Sequence, residues 1–119
     1  MLEKRIKSFG YAIQGMRILF ATQVNAQIHL LALVVVTGAG FWWQVSRLEW
    51  CILLLTFGAV LMAEAMNTAL EFLTDLVSPE YHPLAGKAKD VAAGAVLLMA
   101  MAAIGVGLLI FLPKWIDFK

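Results

Sequence analysis

Three long apolar blocks constrain this chain more than any other feature: Ile28 to Val45, Leu48 to about Leu70, and Val91 to Leu112. Hydrocarbon offers no hydrogen-bonding partners to the backbone, so only helices or closed barrels cross a membrane. The blocks lack the alternating polarity of barrel strands, which leaves helices. The last block, if helical, is about 33 Å long and matches a bilayer core. With 62% apolar residues, 14% charged residues and a mean hydropathy of +0.85, the composition agrees. The expected architecture is an all-α membrane protein, one domain over 1–119, with spans at about 28–45, 48–70 and 91–112. Three spans place the termini on opposite sides. No N-terminal apolar region is followed by a small-residue cleavage site, so no signal peptide is expected.

The second block ends in chemistry. The uncharged run Trp50 to Ala63 leads without a breaker into Glu64-Ala65-Met66-Asn67-Thr68-Ala69-Leu70-Glu71-Phe72-Leu73-Thr74-Asp75. Offsets of 3, 7 and 11 residues from Glu64 fall at about 300°, 340° and 20° around a helix, one narrow stripe. Three carboxylates and an amide therefore share a face. Carboxylates at membrane depth cost several kcal/mol unless paired, protonated or facing water, and so mark function. The alternative is that the helix has already left the bilayer and the stripe is solvated.

Charge is distributed unevenly, although the net charge of +1 gives no reason to expect a nucleic-acid partner. Lys4, Arg5, Lys7, Arg17, Lys87 and Lys89 fall on one side of the three-span topology, against Arg47, Lys114 and Lys119 on the other. The positive-inside rule then puts the N-terminus and the loop between the second and third spans in the cytoplasm. Before the first span, Ile6, Phe9, Ile13, Met16 and Phe20 recur at helical spacing, which predicts an amphipathic surface helix over about 2–22. Trp42, Trp43 and Trp50 bracket the short first connection, as aromatic residues do at a membrane interface. Cys51, the lone cysteine, reads as a buried structural residue.

The second connection holds Pro79, Pro83 and Gly86 and reads as a loop as far as Asp90. Lys87 and Lys89 then stand just before the third helix. There they either help a helix N-terminus bind phosphate or anchor the span by snorkelling. In the third block Ala92, Ala93, Gly94, Ala95, Ala100, Ala102, Ala103, Gly105 and Gly107 permit close helix contact. Three spans make a thin wall for a charged substrate, so self-association is expected.

A carboxylate at membrane depth suits a general base acting on a lipid hydroxyl, and one nearer water suits Mg2+, which favours oxygen ligands shared with nucleotide phosphates. Lipid alcohol plus metal nucleotide points to phosphoryl transfer. Gly86-Lys87 is not a Walker A loop, since it lacks the upstream glycine and the following Ser or Thr.

The segments Glu64 to Glu71, Asp75, Glu80-Tyr81-His82 and Ala88-Lys89-Asp90 closely resemble the signature of the small bacterial integral-membrane diacylglycerol and undecaprenol kinases. The likeness runs in order from Gly10-Tyr11 and Gly15 through the third span. It implies a homotrimer in the bacterial inner membrane, with ATP and Mg2+ used at sites shared between subunits. It further implies Glu64 as catalytic base, Asn67 as support for the reacting groups and Asp75 as a polar neighbour. Glu71 would hold the metal of MgATP. Glu80, Tyr81, His82, Lys89, Asp90 and Tyr11 match nucleotide-binding positions, and Lys4 or Arg5 a basic contact. Gln23 departs from the pattern, standing where well-known members carry a second metal-binding glutamate. An amide oxygen still binds a hard cation, without the charge. His29 reads as an interfacial or interhelical hydrogen-bonding residue rather than a replacement ligand, and His82, taken alone, as a loop hydrogen-bonding residue rather than an acid, base or ligand.

The expected activity is ATP-dependent phosphorylation of a membrane lipid alcohol, diacylglycerol first and undecaprenol as the alternative. An oligomeric ion or proton pathway along the carboxylate stripe, or a noncatalytic scaffold, stands in the other class. Neither explains the polar signature in the second connection.

Overall fold

The computed structural model describes residues 1–118; Lys119, one of the basic residues assigned to the far side, lies outside the described residues. Four helices follow in order: α1 (Leu2–Thr22), α2 (Val24–Trp42), α3 (Arg47–Val77) and α4 (Pro83–Phe118). The last three are each long and apolar enough to cross a membrane.

α1 ends because Gln23 is extended (φ −108°, ψ 113°), and α2 starts directly after it. The Gln27 side-chain amide ties the break by donating to the Phe20 carbonyl at 2.9 Å. Leu19 is the buried residue of α1. Gly15, Met16 and Leu19 share a recess with Ala65, Thr68, Ala69 and Phe72 of α3, which sets the C-terminal half of α1 beside the polar stretch of that helix.

α2 stops at Trp42, earlier than the expected 45. Gln44 turns left-handed (φ 50°). Val45 N–H then reaches the Gly40 carbonyl at 3.0 Å and Gln44 N–H the Phe41 carbonyl at 3.4 Å, the two bonds of a Schellman C-cap. Two residues on, a capping box starts α3: the Ser46 hydroxyl accepts from Glu49 N–H, and the Glu49 carboxylate accepts from Ser46 N–H, both at 3.1 Å. The same Glu49 carboxylate also accepts from Lys114 Nζ of α4 at 3.1 Å.

α3 and α4 form the principal packing pair, with α2 laid more sparingly on α3. Around the hairpin Val45, Leu53 and Ile110 are buried, with Val36, Trp50, Phe57, Val106 and Phe111 packed about them. Trp43 adds ring contacts to Phe111 and Trp115 with centroids 6.2 and 6.1 Å apart. The Trp50 indole lies so close to Gly40 that a Cβ there would enter the ring, so glycine sets this approach of α2 to α3. Between helices in lipid the gain is close van der Waals packing rather than removal from water. Accordingly many large apolar side chains remain on the outside of the chain. Cys51 is among the exposed residues, which corrects the expectation of burial: it lies on an outward face of α3.

The largest departure from expectation is at the second connection. The loop is confined to 78–82, and α4 begins at Pro83 rather than near 91. Proline is well placed at a first helical position, where its missing N–H has no partner to lose. His82 Nδ1 caps the start by accepting from Leu84 N–H at 3.1 Å. Gly86, Lys87, Lys89 and Asp90 are thus inside the helix, so the two lysines do not stand ahead of its N-terminus. α4 also continues through Pro113, which brings Lys114 to Glu49.

Candidate active site

α3 is unbroken from Arg47 to Val77, so Glu64, Asn67, Glu71 and Asp75 do share one helix face. Their exposure is graded. Glu64 is buried, with its side chain 1% exposed, Asn67 is buried, Glu71 is half-buried and Asp75 is open. At about 1.5 Å per residue the stripe descends some 16 Å from Glu64 to Asp75. It leads from the apolar bundle toward the loop between α3 and α4.

Two buried acceptors mark its deep end. Glu64 Oε2 and Asn67 Oδ1 have no hydrogen-bond partner among the described residues. Buried polar atoms are normally satisfied, and an orphan costs about 1–3 kcal/mol or more if charged. The two atoms lie one helical turn apart on the same face of α3. Beside them Thr68 is satisfied locally, its hydroxyl donating to the Glu64 carbonyl at 2.9 Å. His29 of α2 approaches Glu64, its Nε2 lying 3.8 Å from Oε2.

The outer end gathers another group. Asp75, Glu80, Tyr81, His82 and Lys89 border one recess of about 150 Å3 together with Ser78, Pro79, Ala85 and Gly86. Lys89 Nζ, two turns into α4, pairs with Asp75 at 2.5 Å. Ser78 donates to the Glu80 carbonyl at 2.9 Å and shapes the loop. Glu71 lies between the two groups, close enough for its charge to act on both Glu64 and Lys89. It makes no hydrogen bond or ion pair among the described residues, leaving a half-buried carboxylate free.

The remaining expected site residues lie apart. Lys4 and Tyr11 are exposed on α1, and Asp90 is exposed beside Lys89 without bordering the recess. Gln23 is half-buried at the α1–α2 break, and its side-chain nitrogen donates to Thr22 Oγ1 at 3.1 Å, which leaves the oxygen as the atom able to accept. No group of three or more His, Cys, Asp and Glu side chains converges as a metal cage among the described residues. Mg2+ needs no such cage, since it usually retains waters and takes one or two protein carboxylates plus substrate phosphates. The free Glu71 carboxylate fits that role.

Sequence reasoning missed the approach of His29 to Glu64. The available signal was that His29 is the one titratable residue in α2. It also missed the direct Lys89–Asp75 pair and the Glu49–Lys114 tie, whose partners are far apart in sequence.

A buried carboxylate with an orphan oxygen, a free carboxylate two turns along and a polar, loop-lined recess beyond it thus follow one another along α3. A family profile described as prokaryotic diacylglycerol kinase matches residues 10–111, and the chain belongs to that family of lipid kinases. It is 42% identical over 113 residues to an undecaprenol kinase of Bacillus subtilis (strain 168), covering 95% of this chain and 92% of that one. It is 46% identical over 107 residues to a diacylglycerol kinase of Synechocystis sp., covering 89% of this chain and 61% of that longer relative. To the diacylglycerol kinase of Escherichia coli (strain K12) it is 28% identical over 99 residues, covering 83% of this chain and 81% of the other. These relationships favour the kinase over the ion-pathway and scaffold readings.

Proposed function

We propose that the chain transfers the γ-phosphoryl group of ATP to the hydroxyl of a membrane lipid, with diacylglycerol as acceptor and Glu64 as general base. The observation that carries this reading is a buried carboxylate, Glu64, standing one helical turn from the orphan Asn67 Oδ1 in the apolar part of α3. In the proposed reaction the Glu64 carboxylate takes the hydroxyl proton as the lipid oxygen bonds to the γ-phosphorus. The bond from that phosphorus to ADP breaks, and the proton later leaves Glu64 for water. Asn67 orients the hydroxyl or a phosphoryl oxygen through its amide. Glu71 and the Gln23 oxygen would hold Mg2+, which would supply neutralisation of the charge on the transferring phosphate.

The recess of Asp75, Glu80, Tyr81, His82 and Lys89 is the proposed nucleotide seat, joined by Asp90 on the next α4 position. Lys89 exchanges part of its pairing with Asp75 for phosphate when ATP binds. Lys4 and Tyr11 are assigned to the same nucleotide by the resemblance. Since they stand on exposed turns of α1, a homotrimer that shares sites between copies is the proposed way to bring them in. α1 lies on the cytoplasmic face of the bacterial inner membrane with its apolar residues in the interface, in keeping with Lys4, Arg5, Lys7 and Arg17 on one side.

Undecaprenol is the second acceptor reading, favoured by the nearly end-to-end match with the Bacillus subtilis undecaprenol kinase. The purified protein, given labelled ATP, Mg2+ and each lipid in turn in matched micelles, is expected to phosphorylate diacylglycerol. Preference for undecaprenol would reassign the acceptor, and label in neither lipid would remove the proposed reaction.

Gln23 gives a narrower expectation. Gln23→Glu adds a carboxylate at the α1–α2 break and is expected to lower the Mg2+ concentration for half-maximal activity by about threefold or more, whatever happens to the maximal rate. A superimposable Mg2+ titration would place the residue outside the metal's surroundings.

A further inference from the structure

We propose that His29 is a positioning residue for Glu64, holding one carboxylate oxygen so that the other is presented to the acceptor hydroxyl; this rests on the reading of Glu64 as the base.

His29 reaches the carboxylate from a different helix. Its Nε2 lies 3.8 Å from Glu64 Oε2, the side chains being 19% and 1% exposed. That oxygen has no hydrogen-bond partner among the described residues. The other charged group acting on Glu64 is Glu71, which repels it. A donor is therefore needed at Oε2, and His29 is the group in place. The gap exceeds the usual N–H···O range of about 2.7–3.2 Å, and a side-chain adjustment of about 1 Å closes it.

The imidazole makes no hydrogen bond among the described residues. On its other side His29 borders a cavity of about 340 Å3 walled by residues such as Val36, Leu53, Phe57 and Ile104. The polar side chain there, Thr56, already donates to the Ile52 carbonyl at 2.7 Å. With Nε2–H directed at Oε2, a neutral imidazole carries its lone pair on Nδ1. The terminal torsion of a glutamate is broad and roughly two-fold, so an unanchored carboxylate has no fixed plane. Anchoring Oε2 fixes that plane before the hydroxyl arrives, the kind of placement whose loss by about 1 Å costs about a hundredfold in rate.

The experiment compares full-length His29→Leu, His29→Gln and Glu64→Gln for kcat, for KM toward ATP and lipid, and for thermal stability. His29→Leu is expected to lower kcat about 10- to 100-fold with KM for ATP within about twofold. His29→Gln keeps a donor at similar reach and is expected to restore kcat to within about fivefold of wild type. If His29→Leu keeps wild-type kcat while Glu64→Gln is inactive, the positioning role is overturned and the base assignment survives. If Glu64→Gln is fully active, the base assignment fails and this proposal with it. His29→Gln as slow as His29→Leu at wild-type thermal stability also overturns the role. Should the leucine variant not fold, 15N NMR of labelled histidine decides on otherwise native protein. Glu64→Gln is expected to shift the His29 ring nitrogens and leave those of His82 in place; unchanged His29 signals overturn the proposal.

Discussion

Glu64→Gln is expected to lower turnover about a thousandfold while ATP affinity stays near that of the wild type. A general base contributes about 10²–10⁴ in rate, and glutamine keeps the volume while removing the proton acceptor. A thousandfold loss corresponds to about 4 kcal/mol of transition-state stabilisation. Stability supplies a second readout of opposite sign. Oε2 is buried without a hydrogen bond, and an amide is less costly to bury than a carboxylate. Thermal stability should therefore hold or rise as activity disappears, the signature of a group kept for chemistry. Phosphate incorporation, nucleotide titration and thermal melting on the same preparation test this. A variant within tenfold of wild-type kcat would take the base role from Glu64.

Glu71→Gln is expected to act differently, raising the Mg2+ requirement about tenfold or more and lowering kcat at ordinary Mg2+. Glu71 is half-buried and makes no hydrogen bond or ion pair among the described residues. The variant therefore breaks no such contact, and its deficit falls on whatever the free carboxylate receives. Saturating Mg2+ should recover much of the lost rate for Glu71→Gln and none for Glu64→Gln. Rate measured against Mg2+ at fixed ATP separates the two. A large loss of kcat with an unmoved Mg2+ midpoint would count against the metal role.

The carboxylate stripe was legible because helical periodicity alone puts Glu64, Asn67, Glu71 and Asp75 on one face, and nothing between Arg47 and Val77 interrupts the helix. His82 was legible in kind, as a local hydrogen-bonding residue, though its use as a helix cap depends on α4 starting at Pro83. That start was misread because two prolines and a glycine look like loop, whereas a first-turn proline and an internal glycine are compatible with a helix supported by packing. Lys89 meeting Asp75, and His29 nearing Glu64, follow from how separate helices pack. Periodicity within one helix carries no such information. Exposure of Cys51 was hidden for a related reason, since in a lipid-facing bundle an apolar neighbourhood in sequence does not mean an interior position.

The antiparallel α3–α4 pair is joined near both ends, by Glu49 with Lys114 and by Asp75 with Lys89. The intervals are nearly equal, about 39 Å along α3 and about 38 Å along α4. Two rungs set at matching separations oppose sliding of one helix past the other. Faced with a thinner or thicker bilayer, the pair is therefore expected to tilt rather than slide, a response that costs only fractions of a kcal/mol per Å. Glu64 rides on that pair at a fixed distance from either rung. Membrane thickness is then expected to set the depth at which the Glu64 carboxylate stands.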